Sequence, residues 1–377
     1  MTIIKMEHIL VIIKLENIMA FANKGGIVAS LNGIVRKCAA ALALAGLAII
    51  APANAQEKME TLNIAIASTH VVYGPVWIAL ADNLFEKNGV KVTVVNTAAL
   101  TTGPALLVSG STDLLVSTTF LGLRISLEGK PLSVIYNLSD MSARGNAFVG
   151  KTSIKSMAQL AAMGNDCRVL LGPKGSGSWA IYQGIATQYK LKCNVSHAGT
   201  AALVAAGALS SQFDAATLNP QDAYNALDAG KVNMLLDPIK MTDAQASLIY
   251  PYQHPVSTVF GVRNIVAAKR EAVTRFIKAL RQADDIIAKS TPQQLAELCK
   301  QLPDVFGTTP MAGLALQWQL QKNMTRGQRG NGFIAKEDWN NLLAAAPAVW
   351  GFANLNINEP TLKYTNNVDM SYFNAAK

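Results

Sequence analysis

The chain has 377 residues, half of them hydrophobic and 15% charged, with a formal net charge of +9. That length suits about two domains and supplies ample apolar material for sizeable cores. The basic residues are scattered rather than grouped, which excludes a nucleic-acid stripe. The four cysteines and four histidines match no zinc-ligand spacing.

The first segment reads as a targeting sequence. Arg36 and Lys37 precede an apolar stretch, residues 38–50, and Ala53, Asn54 and Ala55 form a small-x-small cleavage site. The stretch is shorter than the ~20 residues a membrane span needs. This order predicts a secretory signal peptide within residues 1–55, a mature chain from Gln56 and a periplasmic location. Cys38 stands before the apolar stretch, so it is not a lipoprotein cysteine. Translation starts at Met1 or Met19. Residues 1–55 hold five basic and two acidic residues, so the mature part keeps 28 and 22, a charge of +6. No later segment is long and apolar enough to span a bilayer.

From residue 61 onward strand and helix patterns alternate. Residues 61–67 read as a strand and 75–88 as a helix, with Trp77, Leu80, Ala81, Leu84 and Phe85 on one face. Gly89 ends that helix. Strands at 90–95, 113–117 and 132–136 alternate with helices at 103–108 and 120–128. A second block repeats the pattern, with strands at 146–150, 168–171, 194–197, 213–217 and 232–236. Its helices are at 153–162, 178–189, 201–211 and 222–228. From about 267 the chain is almost wholly helical, at 268–289, 292–301, 310–323 and 335–346. This order predicts α/β lobes, each a mainly parallel sheet flanked by helices, joined by crossing strands near 147–151 and 257–262.

Ligands of open α/β sheets bind beyond the carboxyl ends of the strands. That rule selects Ser68, Thr69, His70 and Tyr73 in the first loop, Thr101 in the second, and Ser117, Thr118 and Thr119 in the third. In the second block it selects Lys174, Ser176, Gly177, Ser178 and Trp179, and Asn219 after a later strand. Hydroxyls and N–H groups at helix starts suit a carboxylate, a sulfonate or another anion, and Tyr73 and Trp179 suit the walls of an organic pocket. The glycine-rich loop 172–178 lacks the Lys-Ser/Thr pair of a nucleotide P-loop; it is either an anion-capturing loop or a tight helix cap. Lys174 and Arg144 are either cleft cations or exposed surface. No metal cluster, nucleophile elbow or paired-carboxylate motif stands out, so neither catalytic residues nor cofactors are assigned. Cys167 and Cys193 each stand just before a strand. If those strands are parallel neighbours, their starts lie side by side and a disulfide is expected, one that a Cα separation above about 7 Å would rule out.

In order along the chain, residues 73–92, 105–114, 153–160 with 172–178, 205–215 and 270–288 resemble segments of the type 2 periplasmic solute-binding proteins of ABC importers, in the nitrate/sulfonate/taurine and thiamine-precursor branch. The resemblance implies a two-lobed fold closing over a ligand like a flytrap. It divides the chain into a signal segment 1–55, a first lobe 56–150, a second lobe 151–256, and a return 257–377 that ends in a helical tail. It implies a monomeric receptor, not an enzyme, that captures a small, anionic organic solute and delivers it to a membrane permease. Two alternatives share the fold: an enzyme like the thiamine-pyrimidine synthases, and a ligand-sensing partner of a membrane receptor. The tail beyond about 300 carries no substrate-diagnostic match.

Overall fold

A computed structural model describes residues 59–66, 69–97, 102–210, 212–323, 332–352 and 354–377. The expected signal segment, Ser68 and Thr101 lie outside the described residues.

Two five-stranded sheets organise the chain. The first contains β1 (Glu60–Ile66), β2 (Val90–Asn96), β3 (Leu114–Thr118) and β4 (Leu132–Asp140). The second contains β5 (Ala147–Lys151), β6 (Arg168–Leu171), β7 (Asn194–His197), β8 (Ala215–Leu218) and β9 (Val232–Leu236), and β10 (Pro255–Val262) returns to the first. Their orders are β2-β1-β3-β10-β4 and β7-β6-β8-β5-β9. In each, four strands run one way and the crossing strand, β10 or β5, runs antiparallel to both neighbours. The expected mainly parallel sheets are therefore mixed at one strand each. A strand arriving from the other lobe does not come through a helical crossover, so nothing requires it to be parallel.

The two sheets share a fastening. Asp113, just before β3, accepts the N–H of Asn63 in β1 at 2.8 Å and the Lys269 ammonium at 2.8 Å. Asp214, just before β8, accepts the N–H of Arg168 in β6 at 2.8 Å and the Lys151 ammonium at 2.5 Å. Each carboxylate thus ties two adjacent parallel strands of its sheet. Both are buried, and a buried charge persists only when paired and hydrogen-bonded.

The central strands are apolar because both faces are covered: Leu62, Ile64, Ala65 and Ile66 are fully buried. Nine consecutive residues of β4 are buried, although Asn137, Ser139 and Asp140 are polar. The free edge of β4 is covered by the C-terminal segment, where Asn137 donates to the Gly332 carbonyl at 2.9 Å and Asp369 donates to that of Val134 at 3.0 Å. An uncovered edge of this length would invite pairing with another chain.

The helix expected at 75–88 is two helices, Gly74–Ala81 and Leu84–Lys87. Asn83 between them takes a left-handed conformation (φ 52°), which asparagine tolerates better than most residues. Leu84 and Phe85 stay buried across the break, so the apolar period reads as one helix. A helix at Asp243–Ile249, capped reciprocally by Thr242 and Gln245, completes the second sheet's surroundings; its short, weakly apolar sequence gives little periodic signal.

The long helix Arg270–Lys289 buries Val273, Phe276, Ile277, Leu280 and Ile287 at helical spacing, and Phe276 stacks on Phe85 with ring centroids 4.9 Å apart. The helices Pro292–Cys299, Pro303–Phe306, Met311–Asn323 and Lys336–Val349 follow. Met311–Asn323 packs on the helix Pro220–Asp228 beyond β8 and on the turn Val71–Tyr73 beyond β1, so it touches elements attached to both sheets. Its Trp318 is fully buried against Gly74, where an added Cβ would lie 2.6 Å from the indole ring.

Parallel pairing of β6 and β7 begins at Arg168↔Asn194. A disulfide joins the preceding Cys167 and Cys193, whose Cα atoms are 4.5 Å apart. Cys299 is a buried thiol whose pKa burial pushes up to about 12. No described helix is long and apolar enough to cross a membrane.

Candidate functional site

A cleft of about 380 Å³ lies beyond the carboxyl ends of β1 and β8, one strand from each sheet. Open α/β sheets place their ligands at such ends.

The first wall grows out of β1. Thr69 and His70 line the cleft. His70 caps the following turn: its Nδ1 accepts the Val72 N–H at 3.1 Å, and its carbonyl accepts the indole N–H of Trp77 at 3.0 Å. An accepting Nδ1 is unprotonated, which puts the proton of the neutral ring on Nε2. Desolvation pushes the His70 pKa down to about 4, so the ring is neutral at ordinary pH.

The second wall opens the helix after β8. Asn219 is its N-cap: Oδ1 accepts the Asp222 N–H at 2.9 Å, and Nδ2 donates to the Asp222 carboxylate at 2.5 Å. Pro220 suits the first helical position because it has no N–H to satisfy. Burial raises the Asp222 pKa, and the Asn219 hydrogen bond opposes that rise. Gln221 is buried and accepts the Gln317 amide N–H at 2.7 Å. Asn225, one turn on, also lines the cleft.

The tail supplies the third wall, through Phe306, Thr309, Pro310 and Gln317. Phe306 meets Trp77 edge-on, with centroids 5.7 Å apart. Behind it the Lys300 ammonium donates to the carbonyls of Phe306, Gly307 and Thr309 at 2.9, 3.0 and 2.5 Å. Among the described residues no lysine or arginine lines the cleft.

Of the residues selected from sequence, Thr69, His70 and Asn219 come together here. Tyr73 is buried beside them in the turn that the tail helix covers. Ser117 and Thr119 are fully buried under the crossing strand; Thr119 donates to the Pro255 carbonyl at 2.9 Å, and Thr118 precedes it as helix N-cap. The loop from Lys174 to Trp179 does not line this cleft. Lys174 is exposed there. The Ser176 hydroxyl accepts the Trp179 N–H at 3.4 Å and lies 3.0 Å from that of Ser178. Gly177 faces Met141, and Trp179 lies against Gly351 of the tail. Arg144 is held by the Met241 carbonyl and the Asp243 carboxylate.

Sequence reasoning missed Gln221, Asp222 and Asn225, although they follow Asn219 by the same strand-end logic. It also missed Phe306, Thr309 and Gln317, which reach the cleft only through tertiary packing. Among the described residues no group of three His, Cys, Asp or Glu side chains is placed to hold a metal ion.

No protein-family model matches the chain, and no curated protein sequence matches it. Solved structures do. The ligand-binding component of an ABC-type import system from Staphylococcus aureus, with zinc bound, superposes with a TM-score of 0.66 at 11% identity, covering 84% of this chain and 99% of that one. The periplasmic nitrate-binding protein of Synechocystis gives 0.63 at 13% identity, covering 85% and 88%. The periplasmic aliphatic sulphonate-binding protein of Escherichia coli gives 0.59 at 16% identity, covering 83% and 99%. The chain thus has the two-lobed fold of the periplasmic binding proteins.

Proposed function

We propose that this protein is the solute receptor of an ABC importer, exported to the periplasm as a monomer and cleaved near Ala55. The observation that carries the reading is the cleft itself: about 380 Å³, walled by the strand ends of two like-built sheets and lined by amide, hydroxyl, imidazole and carboxylate groups. Such a site binds by converging hydrogen bonds. The nitrate-binding and sulphonate-binding proteins that share the fold support the same reading.

In this reading the first lobe comprises residues 56–150 and 257–377, the second 151–256, and β5 and β10 are the connections about which the lobes move. A solute bound to one wall is completed by the other, so it stabilises the closed form by its differential contacts. The closed form then docks on the permease.

The test is native mass spectrometry of protein purified from the periplasm, followed by thermal unfolding with the co-purified solute returned. A bound small molecule that raises the unfolding temperature and is recovered chemically intact is the expected result. Conversion of that molecule to a product would overturn the receptor reading in favour of an enzyme.

A further inference from the structure

The charge of the cleft identifies the class of solute, given the receptor reading above. We propose that the cleft takes a small organic cation whose ammonium or amidinium nitrogen faces Asp222.

The helix start at the cleft already has two of its N–H groups engaged in the structure. In the helix Pro220–Asp228, Pro220 has no N–H, that of Asp222 is bonded to Asn219 Oδ1, and that of Ala223 is bonded to the Asn219 carbonyl at 3.1 Å. The helix Gly177–Tyr189 is capped by its own Ser176 and lies outside the lining. The positive end of a helix binds an anion through unoccupied N–H groups, and here Asp222 already supplies the negative charge in the first turn.

The side chains agree. Asp222 is the one acidic side chain among the described residues that line the cleft, and none of them is a lysine or arginine. No cationic side chain among the described residues forms an ion pair with it. Its one hydrogen-bond donor from a side chain is the neutral amide of Asn219. A half-buried carboxylate with only neutral partners is stabilised by an incoming cation and repels an incoming anion. The remaining polar groups, on Gln221, Gln317 and Asn225, are neutral amides that supply orientation without compensating that charge. Phe306 adds an aromatic ring to the wall.

Thermal unfolding and calorimetry with putrescine, agmatine and choline, with nitrate and butanesulfonate, and with uncharged butyramide test the assignment. At least one cation should raise the unfolding temperature of the wild-type protein. Its affinity should fall roughly 10- to 100-fold in Asp222→Asn, the loss of one charge-assisted hydrogen bond. Comparison of cations with anions on the wild-type protein needs no variant, so the test survives a misfolded Asp222→Asn. Binding of nitrate or butanesulfonate, or of butyramide with equal affinity in both proteins, would overturn the charge assignment and leave the receptor reading standing. Chemical turnover of a bound cation would overturn the receptor reading while keeping the charge assignment.

Discussion

Removing the Cys167–Cys193 disulfide gives a loss that can be worked from the structure. The bond closes a loop with a sequence separation of 26. In the chain-entropy treatment a loop of that length costs the unfolded state about 12 cal/mol/K, or about 3.5 kcal/mol at 25 °C. The native geometry adds no penalty to the open form, because β6 and β7 remain paired through Arg168↔Asn194 and the three pairs beyond it, and Asn194 keeps its 2.7 Å hydrogen bond to the Cys167 carbonyl. The Cys167→Ser/Cys193→Ser double variant should therefore fold, and should lose about 3 kcal/mol in urea unfolding followed by circular dichroism. Cys167 is fully buried, so Cys167→Ala separates the bond from the cost of a buried hydroxyl. Thiol titration of the mature protein in denaturant should find one free thiol, Cys299, before reduction and three after. Three thiols before reduction, or a double variant as stable as the wild type, would refute the reasoning.

Three further outcomes follow from buried contacts. His254 is buried, bonded through its ring to the Tyr250 hydroxyl at 2.7 Å, and held neutral by desolvation with its pKa lowered to about 4. Its folded pKa lies below the unfolded value of about 6.5, so the unfolded state binds the extra proton in between, and stability falls as pH drops from about 6.5 to about 4; His254→Gln should flatten part of that slope, and an unchanged slope would refute the assignment. Gly184→Ala places a Cβ 1.7 Å from the Ile249 carbonyl oxygen, a backbone clash that should cost about 1–3 kcal/mol or more, read as a lowered urea midpoint. Trp318→Ala empties a fully buried indole site and should destabilise the fold by about 3–5 kcal/mol; a loss below 1 kcal/mol would show that the tail helix is not held there.

Short strands bounded by turns were legible at their true limits: Arg168–Leu171, Asn194–His197 and Val232–Leu236. β4 was legible only to Tyr136, because Asn137, Ser139 and Asp140 look like loop residues until β10 and the tail close around them. The break at Asn83 was hidden because a single left-handed residue leaves the apolar period intact. In the site, Thr69, His70 and Asn219 could be found because strand ends are local features. Gln317 is 96 residues from the Gln221 it bonds, and no periodicity in a helix says which distant surface it will meet. The loop 172–178 misled for the opposite reason: glycines and serines look the same whether their hydroxyls await a ligand or bond one another.

The helix Met311–Asn323 has unequal grips on its two neighbours. Toward the first lobe it sinks the whole indole of Trp318 against Gly74. Toward the second, its side-chain bond among the described residues is one amide pair, Gln317 to Gln221, with Gly313 so close to Gln221 that an added Cβ would lie 1.8 Å from the amide. A buried indole outweighs one neutral hydrogen bond by several-fold. In the lobe opening proposed above, the helix would ride with the first lobe as a lever arm, and the seam would tear between Gln317 and Gln221. Under that proposal, occupancy of the cleft and integrity of the amide pair report on the same motion, so an isotope-labelled glutamine at either position would serve as a built-in gauge of opening.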